Sequence, residues 1–209
     1  MKKVILLITI LFVSVISTAC INNLAVQELN NKAKEYMANG ETEKAICRLR
    51  SSIDLDTSIF ETHYNLGVAL IGVKEYEEAA TSLENAIKLK PDFADSYYSL
   101  AVAQENQADN IINGTTEENA GDEQDKNQVS EQKEKQLSEA EKNKVIELLN
   151  SSVDNYNKYL VKNPAAQDKE KITEQIKYIN EQIEKYNSLR TKTMPDVQDS
   201  SLSTESVKD

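Results

Sequence analysis

Along residues 60–93 the apolar positions recur at helical spacing in two runs separated by a short polar break. In the first run Tyr64, Leu66, Gly67 and Leu70 mix bulky side chains with one residue that has none. In the second, Ala79, Leu83, Ala86 and Ile87 fall at steps of 4, 3 and 1, one face of an amphipathic helix. Ser58, with Glu61 three residues on, can cap the first helix reciprocally. Pro91 cannot continue the second helix, and Asp92 can cap a following one. Gly67 costs about 1 kcal/mol against alanine in a helix interior, so the close approach of a neighbouring helix is its expected reason. A helical hairpin of this size cannot bury its apolar face alone, and the pattern therefore predicts stacked copies.

Copies are present at an interval of 34 residues. Moving back by that interval pairs Gly67 with Ala33, Ala79 with Ala45, Leu83 with Leu49, and Ile87 with Ile53. Moving forward pairs His63 with Tyr97, Leu66 with Leu100, and Gly67 with Ala101. This arrangement resembles the tetratricopeptide repeat (TPR) family, whose 34-residue unit keeps small residues at its eighth and twentieth positions. Here those are Ala33 and Ala45, then Gly67 and Ala79. Tyr36 matches the family's tyrosine at position eleven, where the second unit has Leu70; Pro91 matches its closing proline, where the first unit has Thr57. His63 stands where the family often has tryptophan. The resemblance implies an all-α fold, a short α-solenoid of about two and a half to three helical hairpins, over residues 26–104.

Beyond Asp92 the third unit opens normally with Tyr97, Tyr98, Leu100 and Ala101, and then the apolar pattern lapses. Residues 105–137 carry nine acids against three lysines and few large apolar side chains, which predicts a flexible acidic insertion. Helicity resumes near Ser138, with Val145, Leu149, Val153, Tyr156 and Leu160 on one face, and Asn163-Pro164 closes that helix over 138–163. The third unit thus reads as a repeat interrupted between its two helices. Over 165–190, Ile172, Ile176, Ile179, Ile183 and Tyr186 recur at steps of 4, 3, 4 and 3. Such a seam suits a capping helix over the open end of a stack. Residues 191–209 are rich in Ser, Thr and Asp and read as a disordered tail. The packing residues expected of this scheme are Ala33, Tyr36, Ala45, Leu49, Gly67, Ala79, Leu83, Ala86, Pro91, Tyr156 and Pro164.

The other end of the chain has a different character. Residues 1–19, MKKVILLITILFVSVISTA, join two lysines, an unbroken apolar and hydroxyl run, and small residues before Cys20, the plan of a secretory signal. The ending Ile16-Ser17-Thr18-Ala19-Cys20 resembles a bacterial lipobox, with Ser17 where leucine is usual. The resemblance implies cleavage before Cys20 and lipid attachment there, with residues 20–25 as a lipidated N-terminus and short tether. An uncleaved anchor is the alternative, since Val4 to Ile21 is 18 residues long and about 17 suffice for a span. At roughly 3.5 Å per residue such a tether reaches only about 20 Å, so the repeats would sit close to a bilayer. Ile21 in place of aspartate implies, by the same resemblance, outer-membrane sorting in a two-membrane bacterium, and otherwise the outer face of the cytoplasmic membrane.

Charge and composition narrow the function further. The net charge of −11 becomes −13 if Lys2 and Lys3 are removed with the signal, which argues against nucleic acid as a partner. If Cys20 is acylated, Cys47 is the one remaining thiol and no internal disulfide can form. The lone histidine, His63, falls in a helix slot that is structural in the resembling family. No HExxH, CxxC, P-loop or dinucleotide fingerprint is present, and the acids of 105–137 lack the fixed spacing of an EF-hand loop. No catalytic residue, metal site, cofactor or small-molecule substrate is expected.

What remains is binding. By the resemblance, the first helices of the units line a groove for an extended or helical segment of a protein partner. Its lining would be Asn30, Asn31 and Lys34, then Tyr64, Asn65 and Val68, then Tyr98, Ser99 and Val102. Asn and Tyr can hydrogen-bond a partner's backbone while the rings supply apolar area. Family members that clamp a C-terminal carboxylate use Lys and Arg on the first and third units; here Asp95 and Ser99 stand where further cations would be needed. The expectation is a non-enzymatic, membrane-anchored scaffold of the cell envelope. The alternative is a structural subunit of an envelope or outer-membrane protein assembly complex, docking through the capping helix and acidic insertion.

Overall fold

The computed structural model describes residues 23–114 and 137–193, with side chains as far as Leu189. Among these residues there are seven helices and no strand: α1 (residues 23–38), α2 (Thr42–Leu55), α3 (Phe60–Gly72), α4 (Tyr76–Leu89), α5 (Ala94–Asn113), α6 (Glu139–Lys162) and α7 (Lys169–Thr193). They form an all-α helical-repeat solenoid in which α1–α2, α3–α4 and α5–α6 are successive hairpins and α7 packs on α6. The expected signal segment 1–19, Cys20, and the expected tail beyond residue 193 lie outside the described residues.

The turns repeat with the same interval as the sequence. At the first, Glu41 N–H donates to the Tyr36 carbonyl at 2.8 Å with Gly40 at φ +77°; at the second, Glu75 N–H donates to the Leu70 carbonyl at 2.9 Å with Lys74 at φ +66°. These are helix C-terminal caps of the type that needs a left-handed residue, filled once by glycine and once by lysine. Helix starts are less orthodox. Ser58 does not cap α3: its hydroxyl and its N–H both go to the Asp56 carboxylate, at 2.6 and 2.8 Å, and Ile59 is the N-cap without a side-chain bond. Asp92 does not cap α5 either, because Phe93 takes that position and Asp92 pairs with Lys162 at 3.5 Å. A full capping box appears instead at α6, between Ser138 and Glu141.

Two apolar clusters lie end to end and meet at α5, with Ile87 of α4 packed against both. Ala33, Ala45, Ile46, Leu49, Leu66, Leu70, Ala79 and Leu83 form the first, closed by Leu100 and Ala103 of α5. Tyr97, Ala101 and Ala108 on the other side of α5 join Val145, Leu149, Tyr156, Ile172, Ile179, Ile183 and Tyr186 in the second. Gly67 has a packing reason: a Cβ placed there would lie 2.5 Å from Leu83 Cγ and 3.1 Å from the Ala79 carbonyl oxygen. Ala33, Ala45, Leu49, Ala79, Leu83, Ala86 and Tyr156 are buried and Tyr36 is half-buried, while Pro91 and Pro164 are exposed at the turns they close.

The third hairpin corrects the boundaries read from the sequence. α5 does not end at residue 104 but runs to Asn113, where Gly114 at φ +71° terminates it. Ala108 is buried, and Ile111, Ile112 and Leu137 belong to the second cluster, so the first nine residues of the expected acidic loop and its last are ordered. Burial of one helical face in this stretch outweighs its polar composition. The remainder of the insertion, 115–136, lies outside the described residues. Similarly, α1 is already helical at residue 23, so residues 23–25 of the expected tether are helix, and α7 starts at Lys169, with a turn before it rather than helix from 165.

Candidate functional site

The first helices of successive units stand next to one another. Asn30 of α1 reaches Ser52 of α2 and Thr62 of α3, its amide donating at 2.9 Å to each hydroxyl. Tyr64 of α3 hydrogen-bonds Ser99 of α5, and its ring meets that of Phe93 edge-on at 5.0 Å. Tyr98 of α5 rests against Tyr156 and Tyr159 of α6, with ring centroids 5.7 and 5.3 Å away. Asn30, Tyr64 and Tyr98 are spaced by 34 residues, so one position of the repeat is spent on the joint between a unit's first helix and a later helix of the stack.

That observation corrects part of the expected groove. Asn30 and Ser99 are buried and engaged within the stack, and do not face a ligand. Tyr64 is half-buried, and burial pushes its phenol above the usual value, partly offset by the bond to Ser99. Tyr98 keeps one exposed edge. Of the other candidates, Asn31 and Lys34 are exposed, while Asn65, Val68 and Val102 are half-buried, Val102 against the second cluster. Asn31 also lines a depression of about 340 Å³ along α1, together with Leu24, Gln27, Glu28, Lys32 and Glu35. Of the expected lining, Asn31 and Lys34 stay exposed, Asn65, Val68 and Val102 half-buried, and Tyr98 keeps an edge free; Lys34 is the single cation among them.

A polar cluster joins the third hairpin to α7, and residue patterning did not reveal it. Ser152 Oγ donates to the Ala101 carbonyl at 2.9 Å, Asn155 Nδ2 to Gln104 Oε1 at 2.9 Å, and Tyr156 OH to the Glu105 carboxylate at 3.0 Å. All three bonds span 51 residues and form one ladder between α5 and α6. Gln175 of α7 donates to the same Glu105 carboxylate, which thereby ties three helices together. Burial pushes the Glu105 carboxyl up, opposed by the bonds from Tyr156 and Gln175; burial likewise raises Asp109 one turn on and the Tyr156 phenol. The signal that could have exposed this ladder was the pairing register of α5 and α6, which the long intervening segment conceals.

His63 is buried, its Nε2 2.9 Å from the Thr57 carbonyl oxygen, a tie across the start of α3. Cys47 is exposed on α2. Among the described residues no three His, Cys, Asp or Glu side chains are grouped to hold a metal ion, and no helix is long and apolar enough to cross a membrane.

Comparison with known proteins agrees with this geometry. Residues 74–107, covering α4 and the first part of α5, match a family described as TPR repeat. The first TPR domain of Spaghetti (RPAP3), bound to an HSP90 peptide, is similar with a TM-score of 0.54 at 14% identity, over 77% of this chain and 94% of that one. The second TPR domain of human RPAP3, in complex with an HSP70 peptide, gives 0.53 at 14% identity over 75% and 98%. The TPR domain of Arabidopsis OM64 gives 0.53 at 11% identity over 74% and 96%. No curated protein matches the chain. The chain therefore carries a TPR repeat at residues 74–107 within an all-α solenoid of the tetratricopeptide fold.

Proposed function

We propose that the chain is a lipid-anchored, non-enzymatic scaffold of the bacterial cell envelope that holds a segment of another protein along the faces of α1, α3 and α5. The observation that carries the reading is the line of exposed Lys34 and half-buried Asn65 and Val68, on helices that the joints at Asn30 and Tyr64 fix side by side. Solved domains of the same fold hold HSP90 and HSP70 peptides, which supports a peptide segment as the ligand. With Lys34 the single cation of this line, the segment is held by backbone hydrogen bonds and apolar contact, not by a clamp on a terminal carboxylate. The anchor rests on the apolar run before Cys20, and predicts acylation at that thiol.

Crosslinking in intact cells, with identification of the captured protein, tests the reading. Lys34→Glu combined with Val68→Asp abolishes capture while circular dichroism stays unchanged; undiminished capture overturns the groove. The alternative, a structural subunit of an assembly complex, is favoured by Tyr178, more than half exposed on the outer face of α7, with Leu189 partly exposed further along that helix. Retained capture that is lost on Tyr178→Glu would favour it.

A further inference from the structure

The loops that come after α2, α4 and α6 all emerge on one edge of the solenoid. Phe60, the first residue of α3, and Phe93, the N-cap of α5, meet edge-on at 5.3 Å, Lys90 lies 4.0 Å over the Phe60 ring, and Lys162 reaches Asp92. The start of α1 belongs to the same edge. Asn30 is level with Thr62, two residues into α3, and Leu24 lies six residues earlier, roughly 9 Å further out along the helix axis. This edge carries four of the seven large apolar side chains exposed among the described residues: Leu24 at 68%, Leu55 at 43%, Leu89 at 43% and Val161 at 80%. Leu55 and Leu89 are 34 residues apart, so the repeat itself presents them. The opposite edge, with the turns at 39–41 and 73–75, holds only Leu189 of that set.

We infer that this edge is a membrane-facing surface, and that Leu24, Leu55, Leu89 and Val161 rest in the interfacial region of a lipid bilayer. The inference rests on the lipid-anchor reading above. Three observations select a bilayer over a protein partner. The chain enters the edge at residue 23, three residues after Cys20 and seven after the end of the apolar run of 4–16, so anything attached at Cys20 is held close to it. Beside the apolar residues stand Lys88, Lys90, Lys162 and Lys169 and, with the helix starts included, Asp54, Asp56, Glu61, Asp92, Asp95, Asp168 and Glu170, an excess of acid that suits a neutral headgroup layer and not an anionic one. Gly114 and Leu137, which flank the seven acids and three lysines of 115–136 in the sequence, both lie on the far edge, so this edge itself does not carry the junctions of that acidic stretch. Apolar side chains at the interface add affinity in proportion to the area they bury.

The test is photolabelling of the full chain, produced in a bacterial host and reconstituted in phosphatidylcholine vesicles that carry a photoactivatable acyl chain. Adducts are expected at Leu24, Leu55, Leu89 and Val161 and not at 39–43 or 73–77, with several-fold less edge labelling in a Leu55→Glu, Leu89→Glu, Val161→Glu variant. All three side chains are already exposed, so unchanged circular dichroism is expected of that variant. Labelling confined to residues before 24, or equal on the two edges, overturns the inference. A covalent dimer through the edge in place of lipid adducts assigns it to a second copy and also overturns it. The mass of the peptide containing Cys20, read in the same samples, reports separately whether the anchor exists. An acylated Cys20 without edge adducts sinks the edge alone, and edge adducts with an unmodified Cys20 sink the anchor alone.

Discussion

At the residue scale, glycine and lysine occupy positions whose demands run in opposite directions. Gly67→Ala improves helix propensity by about 1 kcal/mol. The new methyl, however, would sit 2.5 Å from a Leu83 that is itself fully buried, beside an immovable carbonyl. Overpacking of that kind costs typically 1–3 kcal/mol, so the expected result is a net loss of about 1 kcal/mol and a melting point lower by about 2–4 °C. A melt at or above the parent's would show that the hairpin is looser than it looks. Lys74 is the converse, a side-chain-bearing residue at φ +66° where the first turn has Gly40. Lys74→Gly should therefore raise stability by about 0.5–1 kcal/mol in denaturant unfolding, and an unchanged midpoint would count against strain at that turn. Glu105 gives a pH dependence. It and Asp109 titrate above their ordinary 4.5 and 3.8 in the fold, so the folded chain binds these protons more tightly than the unfolded one. The stabilisation that protonation brings is complete below the ordinary values and is lost as pH rises through the folded ones. Acidification towards pH 4.5 thus strengthens the α5–α6–α7 junction, in opposition to groups such as Asp56 that are held low by Ser58. Glu105→Gln, which keeps an acceptor for Tyr156, should flatten this gain in melting point without lowering the neutral-pH value; an unaltered pH profile would remove Glu105 from the account.

At the element scale, the third hairpin divides what patterning can and cannot disclose. Residues 115–136 are poor in apolar side chains, whereas 105–113 and Leu137 supply Ala108, Ile111 and Ile112 to a core cluster. Joining residue 114 to 137 by a short Gly/Ser linker should leave the melting point within about 2 °C, since surface loops tolerate length changes. Removing 105–137 should lower it by about 10 °C, the equivalent of losing several buried side chains and the Glu105 bonds. Equal melts for both deletions would mean that the end of α5 contributes nothing. The sequence made the hairpins, their small-residue contacts and the seam of α7 legible because each rests on a local period of side chains. It concealed the reach of α5, whose last turns are polar on most sides and are ordered only by α6 arriving from beyond a long insertion. The caps misled for a related reason: Ser58 and Asp92 had the right chemistry for helix starts, yet Asp56 and Lys162, one of them 70 residues away, offered other partners. Of the groove candidates, exposure could be read for Lys34 but not for Asn30 or Ser99, whose partners come from neighbouring helices.

At the scale of the whole molecule, two clusters joined through α5, with Ile87 of α4 the one other residue packed against both, imply unequal stability along the stack. Repeat arrays are held by contacts between neighbours, and local openings are drawn from the end whose contacts are lost. Ile179 is 1% exposed and sits on α7, within the second cluster and remote from α1–α4. Placing aspartate there buries an unpaired carboxylate and should cost at least about 3 kcal/mol at that end. Hydrogen exchange on Ile179→Asp should then show fast exchange in α7 and raised exchange in α6, while α3 and α4, held by Leu66, Leu70, Ala79 and Leu83, keep most of their protection. The helix that decides the outcome is α5, because Leu100 and Ala103 hold it to one cluster and Tyr97, Ala101 and Ala108 to the other. If its protection falls only in the Ala108–Asn113 end, the first two units are a self-sufficient platform and the α6–α7 end can open without disturbing the surface of α1 and α3. If protection falls equally in all the helices, the two clusters unfold as one unit and that independence does not exist.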